Sequence, residues 1–177
     1  MSRQVKAALT LALSLCLAGC DSSPPKQTEH SQQRSTASSS ADAPSPPNTR
    51  QLAAEQVQHT LSPQIESLAR TYGEGTNSPC SSAAAELFTP SCAAMADAVG
   101  KLAQNALAEI QGKSVPFTTM RRVAMSARNA AEQYPKLSCG TLPSSASVQE
   151  ACRKHGAVIA QSPVDFRDGV NMGLAGK

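Results

Sequence analysis

The chain has no tryptophan, and its two tyrosines and three phenylalanines make up only 3% of 177 residues. So few aromatic side chains argue against an aromatic-rich β-sandwich, a sugar-stacking module or a base-stacking platform for single-stranded nucleic acid. No useful stretch alternates polar with apolar residues, so no strand is expected. No uncharged apolar run reaches the length of a membrane-spanning helix. His-Glu-x-x-His, Gly-x-Ser-x-Gly, Cys-x-x-Cys and the phosphate-binding glycine loop are all missing, and Gly73-Glu74-Gly75 has neither a third glycine nor a preceding strand. Excess charge is scarce as well. The formal value is +3, and Arg3 and Lys6 supply two of those charges within the first nineteen residues, leaving +1. A general polyanion binder is excluded on that balance, and nucleic acid is not an expected partner.

What is abundant is alanine, in patterns of helical period. Val57, Leu61, Ile65, Leu68 and Tyr72 mark a first helix that Pro63 is expected to kink or divide and that Gly73 and Gly75 stop. Thr89 as cap, Pro90 at the first helical position and Gly112 beyond the end bracket a second, with Cys92, Met95, Val99, Leu102, Ala106 and Ile110 on one stripe. A third is expected from about Ser114 to Tyr134, ended by Pro135. Ser147-Val148-Gln149-Glu150 reads as a capping box opening a fourth, and Ser162-Pro163-Val164-Asp165 as the start of a short C-terminal helix. The expected fold is all-α: a small bundle of about four helices plus that short terminal helix. Small residues such as Ala103, Ala106, Ala124, Ala127 and Ala131 permit close approach, and Gly169 and Gly173, four apart, offer another close contact.

The N-terminus carries the most specific signal. Arg3 and Lys6 precede the uncharged apolar run Ala7 to Leu17, which has the charge, length and small-residue ending of a secretory signal peptide. The run ends in Leu17-Ala18-Gly19-Cys20, which resembles the lipobox of bacterial lipoprotein precursors. The resemblance covers about the first twenty residues. It implies that residues 1–19 are removed and that Cys20 becomes the acylated first residue of the mature protein, an anchor of two or three fatty chains. It also implies that the chain faces the periplasm from the bacterial cell envelope. In enteric-type bacteria, an aspartate at the position of Asp21 implies retention at the inner membrane.

Residues 20–49 follow as a tether. Between 21 and 49 there are eight Ser and five Pro but no Leu, Ile, Val, Met or aromatic residue, too little apolar surface to repay ordering. As a flexible coil, this segment would separate a head from the bilayer by roughly 30 Å. Ser23-Pro24-Pro25-Lys26 matches the Ser-x-x-Lys spacing of some acyl enzymes, but no core surrounds it to position a nucleophile. Residues 50–177 form the helical domain.

Cys80, Cys92, Cys139 and Cys152 are an even set in a chain expected in an oxidising space, so two disulfides are expected. Of the three connectivities, Cys80 to Cys92 and Cys139 to Cys152 is favoured because each pair closes a helix-to-helix connection; crossed pairings stay open. The pairs are twelve and thirteen residues apart, unlike the tight gaps of a zinc knuckle, so no metal is expected. An echo about sixty residues apart supports two similar hairpins: Ala69, Tyr72, Ser78, Cys80 and Cys92 against Ala131, Tyr134, Ser138, Cys139 and Cys152.

Candidate chemistry in the domain is thin. His155, three residues from Cys152, is the only histidine near a candidate nucleophile, and Asp165 with Asp168 is a nearby carboxylate pair. A packed histidine, an oxidised cysteine and a capping aspartate are the ordinary readings, so no cofactor and no enzymatic activity are expected. Charge is uneven: residues 50–112 carry three basic and six acidic side chains, and 113–177 carry nine and four. Arg121, Arg122, Arg128, Arg153 and Lys154 are the candidate binding face for anionic lipid, cell-wall polymer or an acidic partner. The alternative is that the basic helices lie against the acidic ones and neutralise them.

The expected function is a membrane-anchored envelope lipoprotein whose non-catalytic head binds another envelope protein or supports assembly of an envelope complex. In broad organisation this is similar to the helical lipoproteins that pilot secretion-channel subunits, although no motif in the head carries that assignment. A small periplasmic hydrolase acting on cell-wall material is the alternative.

Overall fold

Asn48 opens the first helix by accepting a hydrogen bond from the Gln51 N–H on its side-chain oxygen at 2.8 Å. The computed structural model describes residues 48–177; the expected signal peptide, Cys20 and the tether up to residue 47 lie outside them. Helix α1 spans Thr49–Tyr72 and buries Ala54, Val57, Leu61, Ile65 and Leu68, the stripe read from the sequence with Ala54 added and with Tyr72 only half-buried at its end. Pro63 does not divide it. The ring sits on the exposed face, where water can serve the carbonyl that loses its N–H partner, and the Gln64 side chain donates to the Thr60 carbonyl at 2.9 Å beside it. Gly73, at φ 75°, ends the helix by donating to the Ala69 carbonyl.

A link with two 3-10 turns, Gly75–Asn77 and Ala85–Phe88, leads to α2, Pro90–Ile110. Pro90 occupies the first turn as expected, but the Thr89 hydroxyl turns away from the helix and donates to the Glu86 carbonyl at 2.6 Å. Helix α3, Thr118–Lys136, begins later than the sequence suggests. Pro116 has no N–H to give, and Phe117 takes up a left-handed conformation (φ 45°, ψ 41°) before the helix starts. Pro135 lies inside the last turn. The helix closes in a Schellman arrangement, with Ser138 left-handed at φ 56°, its N–H donating to the Pro135 carbonyl at 2.9 Å and that of Cys139 to Tyr134 at 3.1 Å.

Helix α4, Ala146–Leu174, runs for 29 residues and corrects two expectations. Ser147 is already inside the helix, so it forms no capping box; Ser145 is the N-cap residue, and its hydroxyl pairs with that of Ser147 at 2.8 Å. The short terminal helix is the second half of α4. Ser162 does not cap a new helix but donates its hydroxyl to the Val158 carbonyl one turn back at 2.7 Å, and Pro163 is buried within the continuous helix.

The four helices form an antiparallel ring. Helix α2 packs most extensively on α3 and α3 on α4, while α1 closes the ring against α4 and α2. One core runs through it, including Met95, Val99, Ile110, Phe117, Met120, Tyr134, Ile159 and Phe166. Small residues set the close approaches. Gly173 lies under the Phe117 ring, a methyl on Gly169 would lie 3.1 Å from the Met120 Cα, and one on Gly100 would lie 3.3 Å from the Ala131 Cβ. The fold is therefore an all-α four-helix bundle, and disulfides join Cys80 to Cys92 and Cys139 to Cys152. No strand occurs among the described residues, and none of their helices is long and apolar enough to cross a membrane.

Candidate functional site

Both disulfides lie at one end of the bundle, where α1 and α3 finish and α2 and α4 begin. Each ties a cysteine in the link before a helix to an early turn of that helix, with Cα atoms 4.8 Å apart for Cys80 and Cys92 and 5.6 Å for Cys139 and Cys152. The second link lies against the start of α2. A methyl added to Gly140, in the second link, would lie 3.2 Å from the Ala93 Cβ at the start of α2. The first link folds over α4 at Gly156, where a side chain would meet Leu87 and come within 2.8 Å of the Cys80 carbonyl. The Ser78 hydroxyl, buried there, accepts from the Cys80 N–H at 3.0 Å.

Tyr134 joins the links from below. Its buried hydroxyl donates to the Leu87 carbonyl of the first link and lies 3.1 Å from the Cys139 carbonyl of the second, so one proton serves two acceptors. Burial pushes its ionisation up to about 12. Sequence periodicity marks Tyr134 only as a stripe residue; its place in the echo of Tyr72, just before a cysteine-bearing link, is the signal that bears on this role.

The five basic candidates are not brought together. Phe117 lies opposite Gly173, Met120 opposite Gly169, and Cys139 is bonded to Cys152. In that antiparallel register Arg153 and Lys154 stand level with the end of α3, about 24 Å along the axis from Arg121 and Arg122 at its start. Arg128 pairs with Glu132 at 3.7 Å and Lys154 with Glu150 at 3.7 Å, each within its own helix. The Arg153 guanidinium lies 5.6 Å from the centre of the Phe88 ring. The one direct ion pair between elements among the described residues joins Arg167 on α4 to Glu74 in the first link at 3.0 Å, while Arg122 on α3 shares a cleft with Asp165 and Asp168 of α4.

Cys152 has no thiol to act as a nucleophile beside His155, since its sulfur is bonded to Cys139. Asp165 and Asp168 line a cleft of about 370 Å³ between α3 and α4 with Thr119, Arg122 and Asn171. Asp165 lies in mid-helix rather than at a cap. Its carboxyl is raised above the ordinary range, first by burial and then by Asp168, against the lowering effects of a Gln161 hydrogen bond and of Arg122. No group of three or more His, Cys, Asp or Glu side chains able to hold a metal ion occurs among the described residues.

The fold and this end of it define the class, a disulfide-bonded antiparallel four-helix bundle. No protein-family model, curated protein or solved structure matches the chain.

Proposed function

We propose that the chain is a bacterial envelope lipoprotein: residues 1–19 are a signal peptide, Cys20 carries the lipid, the segment from there to residue 47 is a tether, two residues shorter than the sequence suggests because Asn48 and Thr49 belong to the start of α1, and the helical head binds a protein partner in the periplasm without catalysing a reaction. The observation that carries this reading is one succession along the chain. A basic, apolar leader ends in Leu17-Ala18-Gly19-Cys20, an apolar-poor segment follows, and at Asn48 it gives way to a disulfide-bonded bundle. Two disulfides suit an oxidising compartment, and two or three acyl chains hold a protein at a bilayer without a spanning helix. Asp21 favours the inner membrane.

A second reading, a small periplasmic hydrolase acting on cell-wall material, draws on the cleft in which burial raises Asp165 beside Asp168. Complementation of a deletion strain separates the two. Binding predicts that reversing charge at Arg121 and Arg122, or at Arg153 and Lys154, abolishes rescue, whereas His155→Ala, Asp165→Asn and Asp168→Asn rescue fully. The converse pattern selects the hydrolase.

A further inference from the structure

The two ends of the bundle are built differently. At one end the chain enters at Asn48, and the link between α2 and α3 has no disulfide, only local bonds such as the Lys113 N–H to the Ile110 carbonyl at 3.4 Å and the Lys113–Glu109 ion pair at 3.3 Å. At the other, both disulfides, both 3-10 turns and the Tyr134 hydroxyl hold two links in fixed positions. Fixing a surface before it meets its partner lowers the entropy lost on association. A single exposed leucine is ordinary on a protein surface. What distinguishes Leu142, 67% exposed, is the loop that presents it. Cys139 is bonded to α4 on one side, the Thr141 hydroxyl donates to the Ser138 carbonyl at 3.2 Å, and the Gln149 amide on α4 donates to the Pro143 carbonyl at 2.7 Å. One turn along the same face of α4 from Gln149 stands Arg153, its guanidinium laid over Phe88 of the other link.

The strip from Leu142 through Pro143, Gln149 and Arg153 to Phe88 thus crosses both stapled links. Among the described residues, Arg153 and Lys136, the unpaired cations at this end, have no carboxylate within ion-pair distance, whereas Glu150 is engaged by Lys154 and Glu74 by Arg167. The unpaired Glu86 lines a separate cleft with Thr71 and Ser91. We propose that this strip is the docking surface of the head, and that its occupant is an acidic segment of another envelope protein that covers Leu142 and sets a carboxylate against Arg153. The proposal deepens the protein-binding reading and rests on it. The stapled end is opposite the one at which the chain enters the bundle, so a head tethered there can offer this strip to a partner.

The test uses the full chain in its native membrane, with a photo-crosslinking amino acid at position 142 or, for comparison, at 125, whose Met125 is exposed on the outer face of α3. The expected result is one discrete adduct from position 142 and none from 125. The peptide joined to it is rich in Asp and Glu, the yield drops as salt rises, and Arg153→Glu lowers it by about tenfold, the equivalent of one lost charge-assisted contact. Circular dichroism of Arg153→Glu checks that the helices persist. An adduct from 125 instead of 142 overturns this inference and leaves the protein-binding reading standing. An adduct at 142 with lipid, with a second copy of this chain or with a segment free of acidic residues overturns it too, as does no adduct from either position, while the protein-binding reading itself stands or falls by the complementation test.

Discussion

The hydroxyl of Tyr134 lies 3.1 Å from the carbonyl oxygen of Cys139 while donating to the carbonyl of Leu87, so a side chain on α3 ties together the two links that the disulfides staple separately. Each disulfide acts within its own hairpin; this hydroxyl acts between hairpins. Removing it leaves two buried carbonyls short of a donor, so Tyr134→Phe is expected to cost about 1–3 kcal/mol in urea unfolding. If the hydroxyl couples the links, the loss shrinks in a chain in which Cys80 and Cys92 are both replaced by alanine, and a double-mutant cycle reads the difference.

Alkaline titration follows from the same burial. The folded protein holds the phenol protonated up to about 12, above its ordinary 10.0. A raised folded value means that the associated stability is complete below the unfolded value and is lost as pH rises through the folded one. Unfolding free energy is therefore expected to fall between pH 10 and about 12, and Tyr134→Phe to remove that part of the slope. Tyrosinate absorbance in a Tyr72→Phe background, which leaves Tyr134 as the only tyrosine of the chain, follows the ionisation directly.

Much of the bundle is legible in the sequence because packing a helix on a core needs only a regular apolar stripe. Val57, Leu61, Ile65 and Leu68 on α1, and Cys92, Met95, Val99, Leu102, Ala106 and Ile110 on α2, are buried as their spacing requires. The local disulfide pairing is legible too, because cysteines flanking a connection are close in any antiparallel hairpin. The prolines mislead. Pro63 is tolerated on an exposed face, and Pro163 inside the core is accompanied by the Ser162 hydroxyl bond to Val158, a tertiary setting that a local rule does not contain. The five basic residues mislead in another way. Arg121 and Arg153 look like one basic stretch along the chain, but antiparallel helices place them at opposite ends, and only the register of Phe117 against Gly173 reveals it.

Glycine-to-alanine changes on the helices separate propensity from packing. Alanine in place of a helical glycine gains about 1 kcal/mol when the site has room. At Gly100 the new methyl meets the Ala131 Cβ at 3.3 Å, and the two effects nearly cancel. At Gly173 it overlaps the Phe117 ring, which is fully buried and held by a left-handed backbone, so overpacking prevails and Gly173→Ala is expected to lose about 1–3 kcal/mol. Urea midpoints of the two variants against the parent check the ordering.

Asp165 gives a pH test of opposite sense to an ordinary salt-bridged carboxylate. Burial raises its folded value above 3.8, so the fold favours the neutral acid. Its contribution is complete below that unfolded value and is lost as pH rises through the folded one. Asp165→Asn keeps a neutral polar group in the cleft and is expected to be more stable than the parent at pH 7 and level with it at pH 3. Thermal unfolding at both values decides. Greater stability of the parent at pH 7 would show that Arg122 outweighs burial.

The most direct test of the central claim is the intact mass of the protein purified from its native membrane. The account predicts a chain that begins at Cys20 and carries the extra mass of a diacylglyceryl group on the sulfur. A chain cut elsewhere, or one with a bare thiol at that position, contradicts it.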